Sequence, residues 1–199
     1  LVPQTHWEDL RKRNLQKVCN SSGAKLHPPD RLLVPFLNET ICIDVEEKCL
    51  YRVVKEHSEK IENPLFELIT VVYLLSAADI PLRQEMIGVK ELKDAHFFQG
   101  PHALNFSPLL MQYGNDLVAF DMAAKQLEGI PMDMADSAYK LNPYPKIPVY
   151  YLLWTGDEEF RPNISVLFDR TVEQHFSADA IWGLVHVVND KLLNAISKP

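Results

Sequence analysis

Between Trp154 and Trp182 the sequence gathers the acidic run Asp157-Glu158-Glu159, Asp169, His175 and Asp179 into an otherwise apolar stretch. Carboxylates, imidazoles and indoles at this density suit a metal ion, a cationic group or a planar ligand. Neighbouring side chains on an extended segment diverge, so at most two of the three adjacent carboxylates can face one point, with Asp157 and Glu159 the natural pair. The plain alternative is a solvated turn with Phe160 tucked into the core. His175 and Asp179 stand four residues apart, a spacing that suits two metal ligands or a hydrogen-bonded imidazole and carboxylate on one helical face. Ser177, a natural N-cap, would instead leave His175 outside the helix and Asp179 complementing the positive helix N-terminus. Further along, Asp179, Trp182 and His186 share one face, while Ile181, Leu184, Val185, Val188 and Leu192 make an apolar stripe.

The second concentration is His96-Phe97-Phe98-Gln99-Gly100-Pro101-His102. Gly100-Pro101 forces a turn, and two phenylalanines beside it offer a surface for a planar ligand. His102 follows the turn directly and is the better functional candidate of the two histidines. Core phenylalanines with incidental histidines would produce the same residues. The candidate ligand-binding set is therefore His102, Trp154, Asp157, Glu158, Glu159 and Trp182, with His175 and Asp179 as candidate metal ligands. There is no GxSxG elbow, P-loop or GxGxxG pattern, so hydrolase and nucleotide chemistry by those routes is excluded.

These residues need a scaffold. Thr5 to Glu8 has the pattern of a capping box and predicts a first helix that stops near Asn20-Ser21-Ser22-Gly23. Residues 32–37, 41–45 and 50–54 are short β-prone runs that read as an antiparallel meander. Asn63-Pro64 opens a helix that is apolar nearly all round, which places it, and Leu68 with it, in the core. Ser107-Pro108 opens another helix, and Asn115 can cap the next through Gln126, before Gly129 and Pro131. Residues 147–154 and 164–168 read as buried strands, Leu152 among them, joined through Gly156 to Phe160; a long helix from about Ser177 to Ile196 closes the chain. The expectation is a single α+β domain over residues 1–199, a mostly antiparallel sheet packed against several helices.

Composition sets the bounds. The 199 residues are 47% hydrophobic and carry 20 Lys and Arg against 27 Asp and Glu, a formal net charge of -7. That balance supports a packed core and repels phosphate backbones and anionic headgroups, so no nucleic-acid partner is expected. The longest apolar stretches are too short to span a bilayer and the N-terminus has no basic, apolar signal, so the expectation is a cytoplasmic protein without membrane insertion. Cys19, Cys42 and Cys49 are odd in number and form no CxxC pair, which points to buried free thiols and to no iron–sulfur cluster bound by this chain alone.

The order Phe97-Phe98-Gln99-Gly100-Pro101-His102, Pro145-Lys146-Ile147-Pro148, Leu153 to Phe160, Leu167-Phe168-Asp169, and His175 through Asp179 to Trp182 resembles the prokaryotic DUF3786 family, a domain of unknown function. The resemblance covers most of the chain. It implies company with the corrinoid or other metallocofactor chemistry of anaerobes, in which some relatives carry an added iron–sulfur domain; here such a cluster or corrinoid would have to come from a protein partner. The leading expectation is a binding or accessory protein that holds a metal ion or metal-containing cofactor among His102, the 157–159 turn and the 175–182 segment. The alternatives are a metal-dependent hydrolase, with His175, Asp179 and a turn carboxylate around an ion that activates water, and a structural subunit of a larger complex.

Overall fold

The N-terminal helix breaks where the sequence offers a second start. In the computed structural model, which describes residues 2–55 and 57–195, Thr5 caps nothing. Helix α1 (Gln4–Lys12) begins behind Pro3 without a side-chain cap, and α2 (Leu15–Ser22) begins where the Asn14 side chain accepts the Lys17 N–H at 3.1 Å. Asn14 competes with helix continuation by capping a new one. Gly23 then ends α2 at φ 74°, where a Cβ would also lie 2.8 Å from Pro145.

The meander is present and larger than the sequence suggests. Strands β1 (Lys25–His27), β2 (Arg31–Phe36), β3 (Glu39–Asp44), β4 (Cys49–Val54) and β5 (His57–Lys60) form one antiparallel sheet in chain order. Leu32, Val34 and Phe36 alternate inward, against Ile41 and Ile43 of the neighbouring strand. Phe36 pairs with Glu39 and Ile41 with Arg52, so the two-residue period carries Glu39 and Arg52 onto that same inner face near the sheet's end.

Helix α3 (Pro64–Ser76) starts as expected, with Asn63 accepting the Phe66 N–H at 3.0 Å. Its buried apolar side chains are Phe66, Ile69, Val71, Tyr73 and Leu74, whereas Leu68 is only half-buried. The second sheet follows, with β6 (Met86–Gly88) leading into three 3-10 turns, the last at Gly100–His102. Helices α4 (Ser107–Tyr113) and α5 (Leu117–Gln126) come next; Asp116, not Asn115, caps α5 by accepting the Ala119 N–H at 2.9 Å. Strands β7 (Ile130–Met132), β8 (Ser137–Tyr144), β9 (Ile147–Trp154) and β10 (Asn163–Asp169) complete an antiparallel sheet of order β6-β10-β9-β8-β7. Short α6 (Val172–His175) and long α7 (Ala178–Ala195) close the described chain, and the expected end at Ile196 lies outside it.

The strands thus divide into two sheets rather than one, and one continuous hydrophobic core runs through both sheets and the helices. Leu37 N–H to Pro143 carbonyl at 3.3 Å and the Phe36–Tyr144 ring contact join the sheets. Helix α7 lies against the core side of β9, where the Tyr151 hydroxyl donates to Asn189 at 2.7 Å, and against α4, whose Tyr113 hydroxyl donates to the Leu192 carbonyl at 2.6 Å. Gly183 lets α7 approach α3 closely, since a Cβ there would sit 3.0 Å from Ile69 and 3.1 Å from Leu65. Strand β9 is buried on both faces because Tyr150 and Leu152 enter a small second apolar cluster on the far side of its sheet. No helix among the described residues is long and apolar enough to cross a membrane.

Candidate functional site

The residues singled out by the sequence fall in several separate places. The 3-10 turn delivers His102 to the surface, where its ring stacks on Phe97 (4.4 Å, 16°) and meets Trp182 of α7 edge-on at 6.2 Å. Trp182 in turn lies 4.0 Å from His186, one turn on. The Trp182 Nε1 and His186 Nε2 atoms are buried without a hydrogen-bond partner among the described residues. Burial holds His186 below its ordinary pKa, against an opposing pull from Asp190.

The acidic turn is elsewhere. Asp157, Glu158 and Glu159 are all exposed, and Asp157 accepts the backbone N–H groups of Glu159 (2.8 Å) and Phe160 (2.7 Å). An Asx turn of this kind spends the carboxylate on its own backbone. Phe160 is not tucked into the core but 68% exposed, because the turn closed by Asp157 carries it outward. The turn borders a wide-mouthed depression of about 650 Å³ with Asn115, Arg161 and Pro162, which includes neither His102, His175 nor Asp179. Trp154 belongs to the outer cluster with Met86, Met132 and Leu167, so β9's sheet separates it from Trp182.

His175 and Asp179 also part company. His175 ends α6, only 2% exposed, and its Nδ1 accepts the Ala78 N–H at 3.2 Å while its carbonyl accepts the Ser76 hydroxyl. An imidazole that accepts at Nδ1 carries its proton at Nε2 when neutral, so the lone pair a metal would need at Nε2 is not on offer. Burial and the Lys146 charge hold this histidine below its ordinary pKa, opposed by Asp169. Asp179 is exposed in the first turn of α7 and accepts the Ser177 hydroxyl at 2.5 Å. Ser177 stands just before α7, where its carbonyl accepts the Ile181 N–H at 3.0 Å. Among the described residues no three His, Cys, Asp or Glu side chains come together as a metal cage.

Asp169, the fourth acid of the stretch, is structural. Burial alone would raise its pKa, but the Thr171 hydroxyl and the N–H groups of Thr171, Arg83 and Gln84 outweigh it and hold the carboxyl below its ordinary value. Four donors on one carboxylate staple the segment before β6 to the end of β10.

A further concavity was not legible as a motif. A cleft of about 570 Å³ opens between the end of the first sheet, the start of α3, the end of α5 and the last turns of α7. Glu39 is its centre: Arg52 Nε approaches Oε1 at 2.9 Å and Lys191 Nζ approaches Oε2 at 2.5 Å. The Arg52 contact is an ion pair by distance but poorly aligned, since the buried Nε–H has no properly directed acceptor. Arg52 also reaches Glu59 at 3.3 Å, and Lys191 sits 5.7 Å above the Phe66 ring. Asn38, Asn63, Gln126 and Asn194 add amides, and Ile61, Phe66, Leu127 and Val187 supply an apolar floor. The one sequence signal was Arg52: in a strand whose Leu50 points inward, the residue two further on must do so too, and an inward guanidinium needs a partner.

The family model for DUF3786, a domain of unknown function, matches residues 14–190, and the chain belongs to that family. No curated protein and no solved structure matches the chain.

Proposed function

We propose that this chain is a binding protein that holds a small polar molecule in the cleft around Glu39. The observation that carries the reading is the character of the cleft wall: charged and amide groups over an apolar floor, in a volume of about 570 Å³ that suits a metabolite-sized ligand. The depression at the acidic turn is a weaker candidate, because one turn supplies all of its wall but Asn115.

Thermal unfolding with a panel of small metabolites tests this. A ligand present at 100 times its Kd should stabilise the protein by about 2.7 kcal/mol, and Asn194→Trp, which fills the cleft from an exposed position on α7, should abolish the gain. If no compound protects, or protection persists in that variant, the cleft is not the site.

A second reading has one observation in its favour. Exposed His102, stacked on Phe97 and set against Trp182, offers a face for a planar or metal-containing cofactor, or for a partner protein that carries a corrinoid or iron–sulfur cluster. Metal analysis and an absorption spectrum of anaerobically purified protein, with His102→Ala as control, test it; a colourless, metal-free protein sets this reading aside.

A further inference from the structure

We infer that the cleft takes a small molecule bearing an ammonium group; the inference rests on the binding reading just given and names the ligand's chemical class. Six charged side chains line the cleft: Arg52, Lys60 and Lys191 against Glu39, Glu62 and Asp190. Three of them are already engaged with one another, Glu39 lying between Arg52 and Lys191. An incoming anion would have to displace Glu39 from both cations. Glu39 is tethered to the sheet at a high effective concentration, and a free anion competes poorly with such a group. The net charge of -7 works against an anion at long range as well.

The remaining charges point the other way. Lys60, Glu62 and Asp190 are exposed and make no ion pair among the described residues. Lys60 and Glu62 flank Ile61 just past β5, on one wall; Asp190 comes from α7, on the other. Arg52 also pairs with Glu59, so the engaged set of two cations and two carboxylates is neutral; the two carboxylates and one ammonium that remain leave a negative balance, which an ammonium ligand neutralises and a carboxylate or phosphate does not. Asn38 and Gln126, whose amides make no hydrogen bond among the described residues, can bind the rest of a polar skeleton. A ligand that also bears a carboxylate can use Lys60, so a diamine and an amino acid share the ammonium chemistry but differ in what Lys60 contributes.

Calorimetric titration of the whole chain at low salt, with putrescine, L-lysine, citrate and glucose as probes, tests the assignment. Both amines should bind more tightly than citrate or glucose, should weaken as salt rises, and should lose at least about tenfold in affinity in the Glu62→Gln, Asp190→Asn double variant. Tighter binding of L-lysine than putrescine, lost in Lys60→Met, identifies an amino-acid ligand; the reverse order identifies an amine without the carboxylate. The methyl resonances of Ile61, Leu127 and Val187 report cleft occupancy independently of affinity. Citrate or glucose binding more tightly while shifting those methyls overturns the ammonium class and leaves the cleft reading standing. Amines that bind equally well to the double variant also overturn it. If no probe moves the methyls, both readings fail. Unchanged thermal midpoints of the variants confirm that the fold is intact.

Discussion

Lys191 Nζ lies 2.5 Å from Glu39 Oε2, across 152 residues of sequence, and so pins the last turns of α7 to the first residue of β3. Glu39 is 14% exposed and the two cations that hold it 20% and 29%, so the network is shielded but not dry. Glu39→Ala leaves both cations without their shared carboxylate and should cost about 2 kcal/mol, below the roughly 3–5 kcal/mol typical of a fully buried pair. Urea unfolding measures it. A loss under about 0.5 kcal/mol would reduce the network to ordinary surface pairs.

Stability should fall in mild acid through His175. Its ordinary pKa is 6.5, and burial lowers it in the folded protein, so below 6.5 the unfolded chain binds a proton that the folded chain resists. The contribution is therefore complete above 6.5 and drains away as pH drops toward the lowered folded value. His186 acts with the same sign. Urea midpoints taken above and below this window should differ, and His175→Gln should flatten the difference. A variant with the wild-type pH profile would remove His175 from the account.

Leu184 is fully buried on α7, whereas Leu68 on α3 keeps partial solvent access. Leu184→Ala should cost about 2–5 kcal/mol, the usual range for a core leucine, and Leu68→Ala clearly less. Equal losses in denaturant titrations would mean that α3 turns a different face to the core.

Gly183 sets the spacing of α3 and α7. Gly183→Ala gains roughly 1 kcal/mol of helix propensity and must push Ile69 and Leu65 by only a few tenths of an ångström, so it should be near neutral. Gly183→Val has no such room and should destabilise by about 1–3 kcal/mol. A neutral valine variant would show that the helices can move apart.

Legibility in the sequence followed burial pattern. Strands β2, β3, β4, β9 and β10 announce themselves by β-branched and aromatic runs, and Asn63-Pro64 marks α3 because its capping chemistry is local. Strands β1 and β5 have every residue exposed, so no alternation distinguishes them from loop. Strand β8 hides because Lys140, Asn142 and Pro143 interrupt its apolar residues, and a bulge between Leu141 and Tyr144 shifts its register. Of the candidate site, the His102–Trp182 contact joins two segments singled out by their chemistry. The acidic turn and His175 do not join them, since Asp157 and the His175 imidazole are consumed by nearby backbone N–H groups that a sequence does not display. The cleft escaped notice because Glu39, Arg52 and Lys191 look like ordinary surface charges until strand register and α7 bring them together.

The division of strands into two sheets also orders their assembly in time. Each strand of the first sheet pairs with its neighbour in the chain, whereas β6 must wait for β10, Ile87 meeting Phe168 only after the intervening helices and strands have been made. Loop-closure entropy rises with that separation, so early nucleation belongs to the meander and the β6–β10 edge is the final seam. Pulse-labelled amide exchange during refolding should protect Ile41, Ile43 and Leu50 before Ile87, and the reverse order would contradict this sequence of events. The seam that closes last is also held by the Asp169 staple, so the protein's latest-forming edge is fastened by a carboxylate rather than by apolar burial alone.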